Sequence, residues 1–168
     1  MKKIICGLSI ALALCASLGA CATAPVKRTF DPKGAIPIAS VVTVPAGHDL
    51  IFVSGMLADN IAPAGQPVDF GPDTKTQAAS VLKKLKAALA KEGASFADVT
   101  TMRVFLVGDP KLGGKMDFAG FNEAFRPEFG TDAQPSRPTR TVVQVVALPA
   151  PGALVEVDLI AAKPARRR

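Results

Sequence analysis

The 168-residue sequence predicts an α+β domain of order ββαβαββ, with two helices packed on one face of a sheet. Three observations carry this expectation. Two segments, 73–92 and 116–129, repeat apolar residues at helical spacing. Runs of β-branched and apolar residues surround them. Gly- and Pro-rich stretches then separate one run from the next.

The elements follow in order. Ile36–Val44 (IPIASVVTV) and Leu50–Gly55 (LIFVSG) read as strands, with His48-Asp49 as a tight turn between them. Residues 58–72 carry Pro63, Pro67 and Pro72 with two glycines, which makes a long loop. Asp73–Glu92 is the clearest helix. Val81, Leu82, Leu85, Ala88 and Leu89 share one face, lysines occupy the rest, and Gly93 is placed to end it. Thr100–Val107 is a strand leading into a Gly-rich loop, 108–115. The second helix, Met116–Phe129, has an apolar face of Phe118, Phe121, Phe125 and Phe129, read as core, with Pro127 distorting its last turn. Thr139–Leu148 and Ala153–Ala162 are strands joined by Pro149-Ala150-Pro151-Gly152, a link short enough for an antiparallel hairpin. Apolar strands on the uncovered face point to self-association.

Composition narrows the function classes. With 49% hydrophobic and 20% charged residues, the chain can bury a core and is not a disordered polymer. No apolar run reaches the roughly 18–20 residues of a spanning helix. Three cysteines exclude a disulfide-dense scaffold, and one histidine, His48, excludes a site that needs two. No cluster has metal-ligand spacing, so no metal site is expected.

All three cysteines lie in the first 21 residues, where Lys2 and Lys3 precede the uncharged run Ile4–Leu18. A basic start, a short apolar core and small residues after it form a secretory signal peptide over residues 1–20. Leu18-Gly19-Ala20-Cys21 fits a bacterial lipobox, in which Cys21 receives lipid and becomes the first residue. Cleavage after Ala20-Cys21-Ala22 is the competing reading. The expected location is therefore the periplasm or cell envelope, with the protein anchored to a membrane through Cys21. Residues 21–35 read as a linker, 36–163 as the folded domain, and 164–168 as a basic tail. The formal charge of +6 falls to +4 without the leader, and Arg166, Arg167 and Arg168 supply three of those charges. A nearly neutral body argues against nucleic acid as a partner.

The last two strands hold the candidate chemistry. Arg140 lies in a strand made mostly of Val and Thr, and its planar fork suits a carboxylate. Glu156 and Asp158 share one face of the next strand. A hairpin turning about Ala150-Pro151 would set Glu156 opposite Val145. Arg140 is then five residues further along, about 17 Å away, which disfavours a structural ion pair within one subunit unless the register is shifted by two, and a neighbouring subunit could bring the two together.

These same residues resemble the RidA family, also called YjgF/YER057c/UK114. The resemblance runs from about Leu50 to Ala162. It rests on Val53-Ser54-Gly55, Gln77 with Leu82, Gly93, Asp98-Val99, Val104-Phe105-Leu106 and Asp117–Asn122. Its most specific part is Pro138-Thr139-Arg140-Thr141, Ala147-Leu148-Pro149 and Gly152–Val157. It implies a chorismate-mutase-like homotrimer with a mixed sheet and ligand clefts between subunits. It also implies hydrolysis of reactive enamines and imines to 2-keto acids and ammonia. Arg140 would hold the substrate carboxylate, Glu156 would act on the attacking water, and Asn122 with the backbone at Gly55 would line the cleft. No metal or organic cofactor is implied; the partners are small 2-imino and 2-keto carboxylates. The family's first-strand tyrosine has no counterpart, because the chain contains no tyrosine. The family's helix asparagine falls at Lys84, and the 108–115 loop is longer than usual. The alternative function is a non-catalytic trimeric module that binds small carboxylates at the cell envelope.

Overall fold

The computed structural model describes residues 23–166. The leader, Cys21 and the last two arginines lie outside the described residues. The elements are β1 (Lys27–Thr29), β2 (Val41–Thr43), β3 (His48–Leu57), α1 (Thr74–Lys91), β4 (Val99–Val107), α2 (Phe118–Phe125), β5 (Thr139–Val145) and β6 (Val155–Pro164).

A four-stranded mixed sheet has the order β3-β6-β4-β5. β6 runs antiparallel to both β3 and β4, whereas β5 is parallel to β4. The helices α1 and α2 carry the chain from β3 to β4 and from β4 to β5. Their apolar faces meet the inner residues of the sheet: Leu82, Leu85, Leu89, Phe121 and Phe125 pack with Met102, Val104, Val157 and Leu159. β1 and β2 pair separately as a short ribbon. It is tied down where Arg28 Nη2 donates to the carbonyls of Ala97 and Val99.

Several sequence expectations need correction. The predicted hairpin is absent, since β4 lies between β5 and β6. Both strands are shorter than predicted at the link, so their connection is residues 146–154 rather than four residues. A segment of that length can step across one strand, a displacement of roughly 10 Å. Residues 36–40 are irregular, β3 begins at His48 where a turn was expected, and the segment read as a linker contributes β1. α2 stops at Phe125, because Pro127 lacks an N–H and its ring opposes the carbonyl one turn back.

Helix α1 forms as its sequence dictates. Asp73 caps it, accepting the Thr76 N–H at 2.8 Å, and Gly93 closes it in the left-handed region at φ 64°. Two polar residues, Thr74 and Gln77, are buried along this face. Gln77, 1% exposed, donates to the carbonyls of Gly71 and Gly152 and accepts from the Leu154 N–H. It thereby clamps the 58–72 loop to the segment that crosses β4.

Candidate active site

Arg140 is the second residue of β5 and pairs with Met102. Met102 is fully buried against the helices, so Arg140 points to the helix face of the sheet. There its Nη2 donates to Asn122 Oδ1 at 2.8 Å. The Asn122 amide is itself oriented, because its Nδ2 donates to the Phe118 carbonyl one turn earlier. The guanidinium carbon lies 4.3 Å from the Phe125 ring centroid, 5.4 Å from that of Phe121 and 5.8 Å from that of Phe118. Three ring faces thus stabilise a cation that has lost much of its water.

No carboxylate of the described residues pairs with Arg140. Its Nη1 is buried and has no hydrogen-bond partner. Burial, followed by repulsion from Arg126, pulls its proton affinity down to about 10. The group stays charged at neutral pH. A desolvated guanidinium with half its fork unused has the chemistry to pair with an anion.

Glu156 lies elsewhere. It pairs with Phe105 on one side and Leu57 on the other, and shares the open face of the sheet with Asp158. Its carboxylate covers the Cα of Gly55, so that a Cβ at position 55 would collide with it. That close approach is why the Val53-Ser54-Gly55 sequence ends in glycine. The pairing of β3 with β6 shifts register between Val53 and Met56. This irregularity takes the backbone of Ser54 and Gly55 out of the regular ladder. Asp158 is bound by Arg103, with Nε 2.8 Å from Oδ1, and is not free for catalysis. A concavity of about 580 Å³ opens here, lined by Phe52, Ser54, Gly55, Arg103, Asp158 and Ile160 among others.

The residues expected to form the site therefore fall into two groups, with Arg140 and Asn122 on the helix face and Gly55 and Glu156 on the open face. Arg140 and Glu156 are two strands and three residues apart, roughly 14 Å in the plane of the sheet, and point in opposite directions. The hairpin geometry behind the 17 Å expectation was wrong, yet the separation it implied remains. Sequence reasoning missed two residues. Phe118, read as core, is 38% exposed beside Arg140. Gln77 was noted only as part of the resemblance; a glutamine within an apolar stripe was the available signal of a buried clamp. His48 is uninvolved, its Nδ1 lying 3.0 Å from the Pro45 carbonyl oxygen. Among the described residues, no cluster of His, Cys, Asp and Glu could hold a metal.

Comparison with known proteins places this geometry. The endoribonuclease L-PSP family model matches residues 32–163. Protein DfrA of Myxococcus xanthus is 40% identical over 130 residues, covering 77% of this chain and 88% of the relative. TdcF of Escherichia coli, named as a proposed reactive intermediate deaminase, is 32% identical over 116 residues, 69% of this chain and 81% of its own. The crystal structure of E. coli TdcF with bound serine superposes with a TM-score of 0.53 at 28% identity, covering 82% of this chain and 98% of that one. Rv2704 of Mycobacterium tuberculosis, a member of the YjgF/YER057c/UK114 family, gives 0.51 at 25% identity over 82% and 98%. With the motifs, the sheet order and the extent of these matches in agreement, the chain belongs to the endoribonuclease L-PSP family, the YjgF/YER057c/UK114 or RidA group.

Proposed function

We propose that this protein hydrolyses reactive 2-imino acids to 2-keto acids and ammonia, in clefts formed between copies of the chain. The observation that carries the reading is the buried, unpaired Nη1 of Arg140, an arginine held by a neutral amide and three rings rather than by a carboxylate. Such a group fits the carboxylate of a small substrate. The name of the relative TdcF, and the serine bound in its structure, support an amino-acid-like ligand.

The reaction is R–C(=NH2⁺)–COO⁻ + H2O → R–CO–COO⁻ + NH4⁺. Arg140 holds the carboxylate and fixes the C=N carbon. Glu156 takes a proton from the attacking water and returns it to the departing nitrogen. The freed backbone at Gly55 hydrogen-bonds the imine nitrogen, and Asn122 keeps the guanidinium in place. Because Arg140 and Glu156 face opposite ways in one subunit, Glu156 and Gly55 would come from the neighbouring copy. The open sheet face supports such an assembly, a homotrimer. Phe52 is 71% exposed there, beside Leu50 and Ile160, and Val143 is exposed on the same face at the opposite edge of the sheet.

Export and lipid attachment at Cys21 belong to the same proposal. Thr23 lies against Gly47, whose carbonyl accepts the Ala165 N–H, so both ends of the described chain leave from one pole. Mass spectrometry of the mature N-terminus tests it: a diacylated Cys21 supports the anchor, and a free Thr23 start refutes it.

The deciding experiment measures keto acid and ammonia release from freshly generated imino acids. Loss of release in Arg140→Ala, with the oligomer intact, is the expected result. Equal rates in both proteins would overturn the assignment. Thermal stabilisation by 2-keto acids without turnover would favour the non-catalytic carboxylate-binding module instead.

A further inference from the structure

A second arginine stands beside the first. Arg126 follows α2 immediately, its N–H donating to the Asn122 carbonyl, so it lies one helical turn beyond the residue that holds Arg140. It is exposed, and its charge is close enough to weaken the hold of Arg140 on its proton. Two like charges on either side of Asn122 repel each other unless an anion lies between them.

Among the described residues, no carboxylate pairs with Arg126. The carboxylates nearest Arg126 on its own segment are already engaged by lysines of α1: Glu123 with Lys75 at 2.8 Å, and Glu128 with Lys86 at 3.2 Å. Asp117 is occupied as the N-cap of α2, accepting the Gly120 N–H. Other arginines have evident work. Arg103 binds Asp158, Arg28 binds two carbonyls, and Arg137 stacks on Phe30 while donating to the Asp31 carbonyl. Arg126 has no side-chain partner among the described residues.

We infer that Arg126 is a specificity-determining residue that binds the distal carboxylate of a dicarboxylic 2-imino acid whose α-carboxylate is held by Arg140. The inference rests on the imine-hydrolysis reading for its reaction, and on the two guanidinium groups alone for its ligand. A dicarboxylic ligand neutralises both cations at once and removes the repulsion between them. A ligand with an apolar side chain leaves Arg126 unpaired.

The test compares wild type, Arg126→Gln and Arg126→Lys in the hydrolysis of 2-iminoglutarate and 2-iminobutyrate, each generated in the assay by an amino-acid oxidase. Wild type is expected to favour the dicarboxylic substrate in kcat/KM, and Arg126→Gln to reduce that preference tenfold or more. Arg126→Lys should recover part of it. Wild type without the preference, or a glutamine variant that slows both substrates equally, overturns the inference. A binding measurement separates this from failure of the catalytic reading. If no imine is hydrolysed, yet 2-oxoglutarate raises the wild-type Tm more than 2-oxobutyrate does and Arg126→Gln abolishes the difference, the two-cation site stands and the hydrolase does not. Equal stabilisation by both keto acids overturns the site itself.

Discussion

Replacing Arg140 with methionine separates a binding arginine from a structural one. A buried ion pair that loses one partner costs about 3–5 kcal/mol. Arg140 has no such partner, and its own charge is a burden on the fold. A fall in its pKa from the ordinary arginine value to about 10 corresponds to roughly 3 kcal/mol, or about 1–2 kcal/mol once its partial solvent access is discounted. That penalty is fully present below about pH 10 and is relieved only as pH rises from there through the ordinary arginine range, so the comparison is insensitive to pH near neutrality. Methionine removes the penalty. Against this stand an unsatisfied Asn122 Oδ1, worth about 1–2 kcal/mol, and the lost ring contacts, worth about 1 kcal/mol. The expected net loss is about 1 kcal/mol, or roughly 2–4 °C in Tm. Thermal unfolding at fixed protein concentration measures it, with and without 2-oxobutyrate. Saturation at about 100 times Kd should add roughly 2.7 kcal/mol to wild type and nothing to the variant. A loss of 3 kcal/mol or more, or equal stabilisation of both proteins by the keto acid, would refute the reasoning.

Other changes have equally definite outcomes. Gly55→Ala drives a methyl group into the Glu156 carboxylate, the mobile end of a side chain. Imine hydrolysis should then fall about 100-fold or more while Tm moves little. Glu156→Gln should lower kcat by about 10²–10⁴-fold at near-wild-type stability, measured by the same assay and by thermal unfolding. Gln77→Leu strands the Leu154 N–H and two carbonyls, and should cost about 2–4 kcal/mol in urea unfolding. Asp73→Ala removes the cap of α1 and should cost about 0.5–2 kcal/mol. Hydrogen bonds from Thr76 hold the Asp73 carboxyl below its ordinary value of 3.8, so its contribution is present above that value and is lost as pH falls below it. Urea unfolding at pH 7 and pH 3 should show the gap between wild type and variant narrowing at the lower pH.

The local parts of the fold were legible because local chemistry determines them. Asp73, the leucine stripe and Gly93 mark both ends and the buried face of α1 without any distant contact. The order of strands in the sheet was not. Pro149–Gly152 looks like a hairpin link, and only the true ends of β5 and β6, at Val145 and Val155, make the connection long enough to cross β4. A clue lay in the burial that β6 demands. Val155, Val157, Leu159 and Ala161 alternate with residues that are at most half-exposed, as suits a strand with neighbours on both edges. β5 instead carries the exposed Thr141, Val143 and Gln144 of an edge. For the site, the motif supplied Arg140, Asn122, Gly55 and Glu156. Their division between two faces followed only from the parallel pairing of β5 with β4, which sets Arg140 beside Met102.

The sheet order also has a consequence for how the chain is made. β6 is the last strand in sequence, yet it is the only neighbour of β3 in the four-stranded sheet, and it separates β3 from β4. Until residues 155–164 have emerged, β3 has no edge to pair with, and half of the inner layer has nothing to close against. Closure of the four-stranded sheet therefore waits on residues 155–164, because the earliest long strand pairs only with the latest one. A chain stopped before residue 155 would leave β3 as an unpaired edge, open to pairing with other chains instead of with its own.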